Sequence, residues 1–328
     1  MKTRERWIDE LRGFALVLVI AGHVIGGVSP DISGGVENDI RRFIYLFHMP
    51  LLFIVSGMVR NDKDNLTVRS FFPSLLKNVI SLYVPYLLFG YLFWAVKFFI
   101  YAGNEPVTVT DALRIPYDYH AWVPGWYLLA LLGIKVVSLL FDTFFFVINT
   151  DEMTSKRVRL LFWLVTWIVF QFIDIDILSL VFNYGIYYEL GTYIKVRVSK
   201  KDDSKPLLFI LLPFSILLFA NTKFVRQLSG MVVAIALAMI VTNVCYRAIG
   251  RMRIIEDIGR KSMIPYVLHA YFTIPVRIIL NILGCSSFSI YVLYEIVVCV
   301  LLSWIAVKIV DKVKALNSLF YPGNMLKK

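Results

Sequence analysis

Residues 8–23 read Ile8-Asp9-Glu10-Leu11-Arg12-Gly13-Phe14-Ala15-Leu16-Val17-Leu18-Val19-Ile20-Ala21-Gly22-His23. Two carboxylates and a guanidinium open the stretch, an unbroken apolar run follows, and an imidazole closes it. A bilayer span needs about 20 predominantly apolar residues. With Val24-Ile25 beyond it, the run predicts a membrane helix over 8–28 that carries ionisable groups at both ends.

The same apolar pattern recurs along the chain. It predicts further spans at 40–60, 82–101, 122–141, 158–173, 177–196, 206–221, 228–249, 263–283 and 287–310. Segment 71–81 reads as an interfacial helix leading into the third span. Asp174 and Asp176 suit a tight turn between the fifth and sixth. The composition agrees, because 59% of the 328 residues are hydrophobic and only 17% charged. Soluble domains run at about 45–50% apolar and 25% charged, and one water-soluble core does not grow to absorb such an excess. The expected fold is all-α: a polytopic transmembrane bundle of about ten helices, with residues 1–328 forming a single membrane domain.

The net charge of +11 would suggest nucleic acid in a soluble protein. Here the cations lie in short segments between apolar runs, so their partner is the bilayer and no nucleic acid is expected. With an N-terminus inside the cell, most Lys and Arg fall on the inner side. Only Arg41, Arg42, Arg114, Lys223 and Arg226 fall outside, and Lys97, Lys135 and Arg277 remain within spans. This asymmetry predicts cytoplasmic termini and a multi-pass protein of the plasma or inner membrane. Met1–Arg6 and the apolar run imitate a signal peptide. Arg12 and His23 interrupt it and no cleavage site follows, so an uncleaved first helix is expected.

Arg12 and His23 are eleven residues apart. At 100° per residue they share a helix face to within about 20°, separated by roughly 16 Å of rise. Asp9 lies near the same stripe. Ionisable groups within a bilayer usually face a cavity or a partner, and imidazole is suited to proton transfer near neutral pH. Arg12 also reads as an interfacial anchor, and His23 as a hydrogen-bonding residue between helices. Gly22 and Gly26 would let a neighbouring helix approach.

Four more candidates follow. His48 stands in Phe47-His48-Met49-Pro50, in the outer part of the second span, where Pro50 can kink the helix. Ser56 precedes Gly57, but a helical serine more often bonds back to its own helix, and no nucleophile elbow surrounds it. His269 lies seven residues after Ser262 and reads as lining the cavity of His23. Glu189 sits within the sixth span, where a carboxylate needs a cationic partner or a proton. The cysteines 245, 285 and 299 have neither disulfide nor metal spacing, and the four histidines have no zinc spacing, so no metal is expected.

Ile8-Asp9-Glu10-Leu11-Arg12-Gly13-Phe14-Ala15 with His23 resembles the first helix of membrane acyltransferase family 3, in which an Arg, ten residues and a His recur. Phe47-His48-Met49-Pro50-Leu51-Leu52-Phe53-Ile54-Val55-Ser56-Gly57 resembles the family's second helix. Gly125-Trp126-Tyr127-Leu128 and Ile258-Gly259-Arg260-Lys261-Ser262 with His269 are similar to weaker, later segments. The resemblance implies an integral membrane O-acyltransferase with acyl-CoA, expected to be acetyl-CoA, as cytoplasmic donor. It implies a hydroxyl of a cell-surface polysaccharide, glycolipid or related sugar as acceptor. It implies His23 as the catalytic residue, acting as base or as transient acyl carrier. Arg12, Arg260 and Lys261 would then meet the donor's phosphates. A transporter or flippase for a lipid-linked sugar is the alternative that the spans and buried charges equally allow.

Overall fold

The helix α1, Arg6–Ile25, is buried on nearly every side, as expected of a helix surrounded by others. In the computed structural model it is followed by α2 (Val36–Met58), α3 (Val68–Ile100), α4 (Val109–Arg114) and a 3-10 turn at Tyr119–Gly125. Then come α5 (Trp126–Val147), α6 (Glu152–Val169), α7 (Asp176–Ser199), α8 (Lys223–Arg247) and α9 (Arg253–Arg260). The chain closes with α10 (Met263–Ile282), α11 (Phe288–Lys312), α12 (Lys314–Phe320) and a 3-10 turn at Pro322–Lys327. The structure describes residues 5–28, 36–60, 68–100, 107–199, 222–247 and 251–327. Among these there is no strand.

Among the described residues, six helical stretches are long and apolar enough to cross a membrane: Asp39–Met58, Val68–Phe99, Tyr119–Val147, Phe224–Arg247, Met263–Ile282 and Phe288–Lys312. They coincide with the expected second, third, fourth, eighth, ninth and tenth spans. The first, fifth and sixth spans are helices (α1, α6 and α7) but are not among the six. Several charges interrupt α1 and α6, and α7 carries Tyr184, Tyr187, Tyr188 and Tyr193 together with Asn183 and Glu189. The expected seventh span, 206–221, lies outside the described residues. Segment 71–81 is no separate helix, since α3 runs unbroken through Pro73 and Pro85. The turn between α6 and α7 forms where the acids predicted it, with Asp176 at a φ of 34°.

The chain divides into two compact units. The first comprises Met1–Val59 and Leu190–Ile309, the second Arg60–Glu189 and Val310–Lys328. In the first unit, α1 packs against α2, α8, α9 and α10. Ile20, Val24 and Val28 meet Val276 and Leu280 of α10 and Tyr291 and Cys299 of α11 in one buried cluster. The crossing of α1 with α9 is the tightest contact. A Cβ on Gly13 would lie 1.9 Å from the Ile255 carbonyl oxygen, and one on Gly259 would lie 1.8 Å from that of Asp9. Only paired glycines let two backbones come this close.

In the second unit, α3 packs along α5. Trp122 is 1% exposed, stacked at a tilt on Tyr86 with ring centroids 5.3 Å apart, so it belongs to the core. Beside it, Asp118 accepts from Arg114 Nε at 3.0 Å and from the His120 amide at 2.9 Å. Burial opposes its charge, yet these hydrogen bonds and the Arg114 cation hold its carboxyl below the usual range.

Candidate active site

The site is built on the C-terminal half of α1. His23 is two residues from the end of that helix, and its ring lies against that of His269 on α10, with centroids 4.8 Å apart and planes tilted by 41°. His269 is 1% exposed. Its Nδ1 lies 2.5 Å from the Tyr266 carbonyl oxygen. A carbonyl only accepts, so Nδ1 carries the proton and Nε2 presents its lone pair. That Nε2 is buried without a hydrogen-bond partner.

His48 occupies the same unit on α2. It is 6% exposed and its Nδ1 donates to the Ile44 carbonyl at 2.9 Å, which again leaves Nε2 as acceptor. Tyr45 stacks at a tilt on His48, with centroids 4.9 Å apart, and donates to the Gly22 carbonyl at 3.4 Å. Gly22 makes room for it, since a Cβ there would sit 2.7 Å from the Tyr45 ring. Thus Gly22 and Gly26 do admit a neighbour, with Arg41 of α2 lying over Gly26.

The opposite end of α1 is held by α9. Arg6 donates from Nε and Nη2 to Glu256 at 2.9 and 2.6 Å. The Arg6 hydrogen bond holds the Glu256 carboxyl below the usual carboxylate range, against the effect of partial burial. Asp257 receives Lys308 Nζ at 2.5 Å and Trp304 Nε1 at 3.2 Å, and Arg260 Nη2 lies 3.3 Å from it. Burial works against the Asp257 charge, but these partners outweigh it and keep its pKa low. Arg12 follows Leu11 one residue before Gly13. Arg260 follows Gly259. The glycine crossing therefore sets the backbone next to Arg12 beside the backbone next to Arg260, at one end of the unit. Asp9 is buried there at 5% exposure.

Ser56 is buried near the end of α2, in the stretch where Gly191 of α7 abuts the backbone of Ile54 and Met58. Glu189 belongs to the second unit. It is fully buried and receives Arg60 Nη1 at 3.1 Å and Arg159 Nε at 3.2 Å. Both guanidiniums also pair with Asp142, Arg159 Nη1 at 2.9 Å. The carboxylate thus has the cationic partners its depth demands, in a network of its own.

A neighbour of His23, and the acid that holds it, escaped the sequence. Arg277 of α10 donates from Nη2 to the His23 carbonyl at 3.4 Å and to Glu295 of α11 at 3.2 Å. Glu295 is 0% exposed. Arg277 was visible only as a charge within a span, and Glu295 as one acid in an apolar run. Among the described residues no group of His, Cys, Asp and Glu is arranged to hold a metal ion.

Long apolar helices with histidines and ion pairs sealed among them define an integral membrane protein with a polar site inside its helical unit. The family model described as an acyltransferase domain matches residues 5–308, and the chain belongs to that family, acyltransferase family 3. It is thus an integral membrane protein of an acyltransferase family. Neither the curated proteins nor the solved structures contain a match to the chain.

Proposed function

We propose that this protein O-acylates a sugar, moving an acyl group, most simply acetyl, from cytoplasmic acyl-CoA to a hydroxyl of a surface polysaccharide or glycolipid. The observation that carries this reading is the His23–His269 pair, a half-buried imidazole in ring contact with a fully buried one inside a helical unit of an acyltransferase-family chain. His23 takes the hydroxyl proton as that oxygen attacks the thioester carbonyl, or carries the acyl group between donor and acceptor. The bare Nε2 of His269 is the natural acceptor for a proton on the His23 ring, and that hydrogen bond, once made during turnover, would fix which ring nitrogen faces the reactants.

The donor enters from the end of α1 that carries Arg12, with Arg260 and Lys261 beside it on α9. Guanidinium and ammonium groups bind the phosphates of the coenzyme moiety through charge-assisted hydrogen bonds. Asp9 orients this rim. The pantetheine arm then spans the ~16 Å of helix rise between Arg12 and His23. His48 and Ser56 line the path on α2, while Glu189 braces the second unit through its two arginines. Cytoplasmic termini, as the distribution of cations favours, put the phosphate end inside and His23 nearer the outer surface, where the sugar waits.

The test is purified protein given acetyl-CoA and membranes bearing the native glycans, with free thiol and acetylated glycan measured together. Wild type should release thiol and acetylate glycan in equal amounts, and His23→Ala should do neither while inserting normally. Glycan translocation without thiol release would replace the reading by a flippase.

A further inference from the structure

His23 stands where a helix runs out of backbone partners. The last carbonyls of any helix lack the amide four residues on. At the end of α1 the Gly27 amide turns to the Val24 carbonyl at 3.1 Å, and the Val28 amide to that of Ile25 at 3.3 Å. The amide that would have served the His23 carbonyl is thereby spent elsewhere. The Arg277 guanidinium takes its place, with Nη2 at 3.4 Å.

The seat of that guanidinium is Gly27. A Cβ there would lie 2.1 Å from Arg277 Nη2 and 2.2 Å from Cζ and Nη1. Any other residue at 27 displaces the guanidinium. From the far side Glu295 holds the same Nη2 at 3.2 Å, and Tyr291 of α11 reaches Asn281 at 3.0 Å just beyond. A buried ion pair roughly breaks even against apolar residues of similar size, and here Arg277 Nε and Glu295 Oε2 are left without partners. Stability does not explain the pair. Its location does: a cation at the C-terminus of α1, complementing the helix dipole on the very residue whose imidazole faces His269.

We infer that Arg277, locked by Glu295 and seated on Gly27, is a positioning residue that caps α1 at His23 and aims its imidazole. Helical side chains lean toward the N-terminus while carbonyls point to the C-terminus. One residue is therefore gripped twice from α10, its ring by His269 and its carbonyl by Arg277. The inference rests on the acyl-transfer reading for the step it serves, and on geometry alone for the cap.

Three variants test it, each assayed as full-length protein with acetyl-CoA as probe. Gly27→Ala keeps every polar group but fills the seat. It should lower kcat by about 100-fold, the loss that a displacement of about 1 Å brings to a positioned group, with KM for acetyl-CoA unchanged. Arg277→Gln should match it, and Arg277→Lys should recover part of the rate. Full kcat in Gly27→Ala overturns the inference, as does a loss that follows only the amount of folded protein. If wild type leaves acetyl-CoA intact, the acyl-transfer reading falls by itself, and deuterium exchange at amides 24–28 decides the cap. Exchange about tenfold faster in Arg277→Gln, the scale of one lost hydrogen bond, supports it; unchanged exchange overturns it.

Discussion

The rings of His23 and His269 lie with centroids 4.8 Å apart, and Nε2 of His269 is buried without a hydrogen-bond partner. Leaving a buried polar atom unsatisfied costs about 1–3 kcal/mol. A chain that keeps such an atom against its candidate catalytic base keeps it for the base. His269→Leu removes the orphan at similar volume. It should leave the melting temperature no lower than wild type and cut acetyl transfer by about 10²-fold, the lower range for acid–base groups. A less stable protein with full transfer would reverse the assignment.

How much of this was legible beforehand differs residue by residue. Apolar runs located α2, α5, α8, α10 and α11, because membrane solvent forces every backbone group into a helix. His23 and Arg12 stood out because charge within a span is expensive. The partnering of His23 with Arg277, and of Arg277 with Glu295, did not, since separations of 254 and 18 residues in the chain carry no periodic signal. Segment 71–81 reads as an element apart from the third span, yet α3 runs through it as one helix with Pro73 and Pro85 inside. Glu189 was legible as a carboxylate needing a cation, but Arg60 and Arg159 come from distant turns that only the fold brings to it.

That network gives the second prediction. Glu189 is fully buried and Arg60 and Arg159 are 8% and 7% exposed at their side chains. Removing one member of a buried ionic group costs about 3–5 kcal/mol, because its partners keep their charge in a dry place. Glu189→Ala should therefore lower thermal stability sharply. Glu189→Leu with Arg159→Met should cost less than Glu189→Ala alone. Additive losses in that pair would show that the network is not coupled.

The glycine crossing gives a third. A methyl on Gly259 would meet the Asp9 carbonyl oxygen at 1.8 Å and the Gly13 amide nitrogen at 2.5 Å. Both are backbone atoms with no rotamer to yield. Overpacking costs about 1–3 kcal/mol or more, and α9 must lift from α1. Because Arg260 is the next residue, Gly259→Ala should raise KM for acetyl-CoA more than it lowers kcat. An unchanged KM would separate the crossing from donor binding.

Acid should loosen the same end. The Arg6 hydrogen bond depresses the folded pKa of Glu256, so the pair stabilises the fold at every pH where both folded and unfolded carboxyls are ionised. The unfolded carboxyl titrates at about 4.3. Below that pH the unfolded state binds the proton first, stability begins to fall, and the loss is complete only once pH drops beneath the folded value. Glu256→Gln cannot titrate, so its melting temperature should already be lower at pH 7 and should fall less steeply between pH 5 and 3, by the width of that window. Added salt should narrow the gap at pH 7, because half of the Arg6 side chain is open to solvent at 52% exposure and exposed charges are screened. Parallel melting curves for Glu256→Gln and wild type across that acid range would mean that α1 is held to α9 by the glycine contact alone.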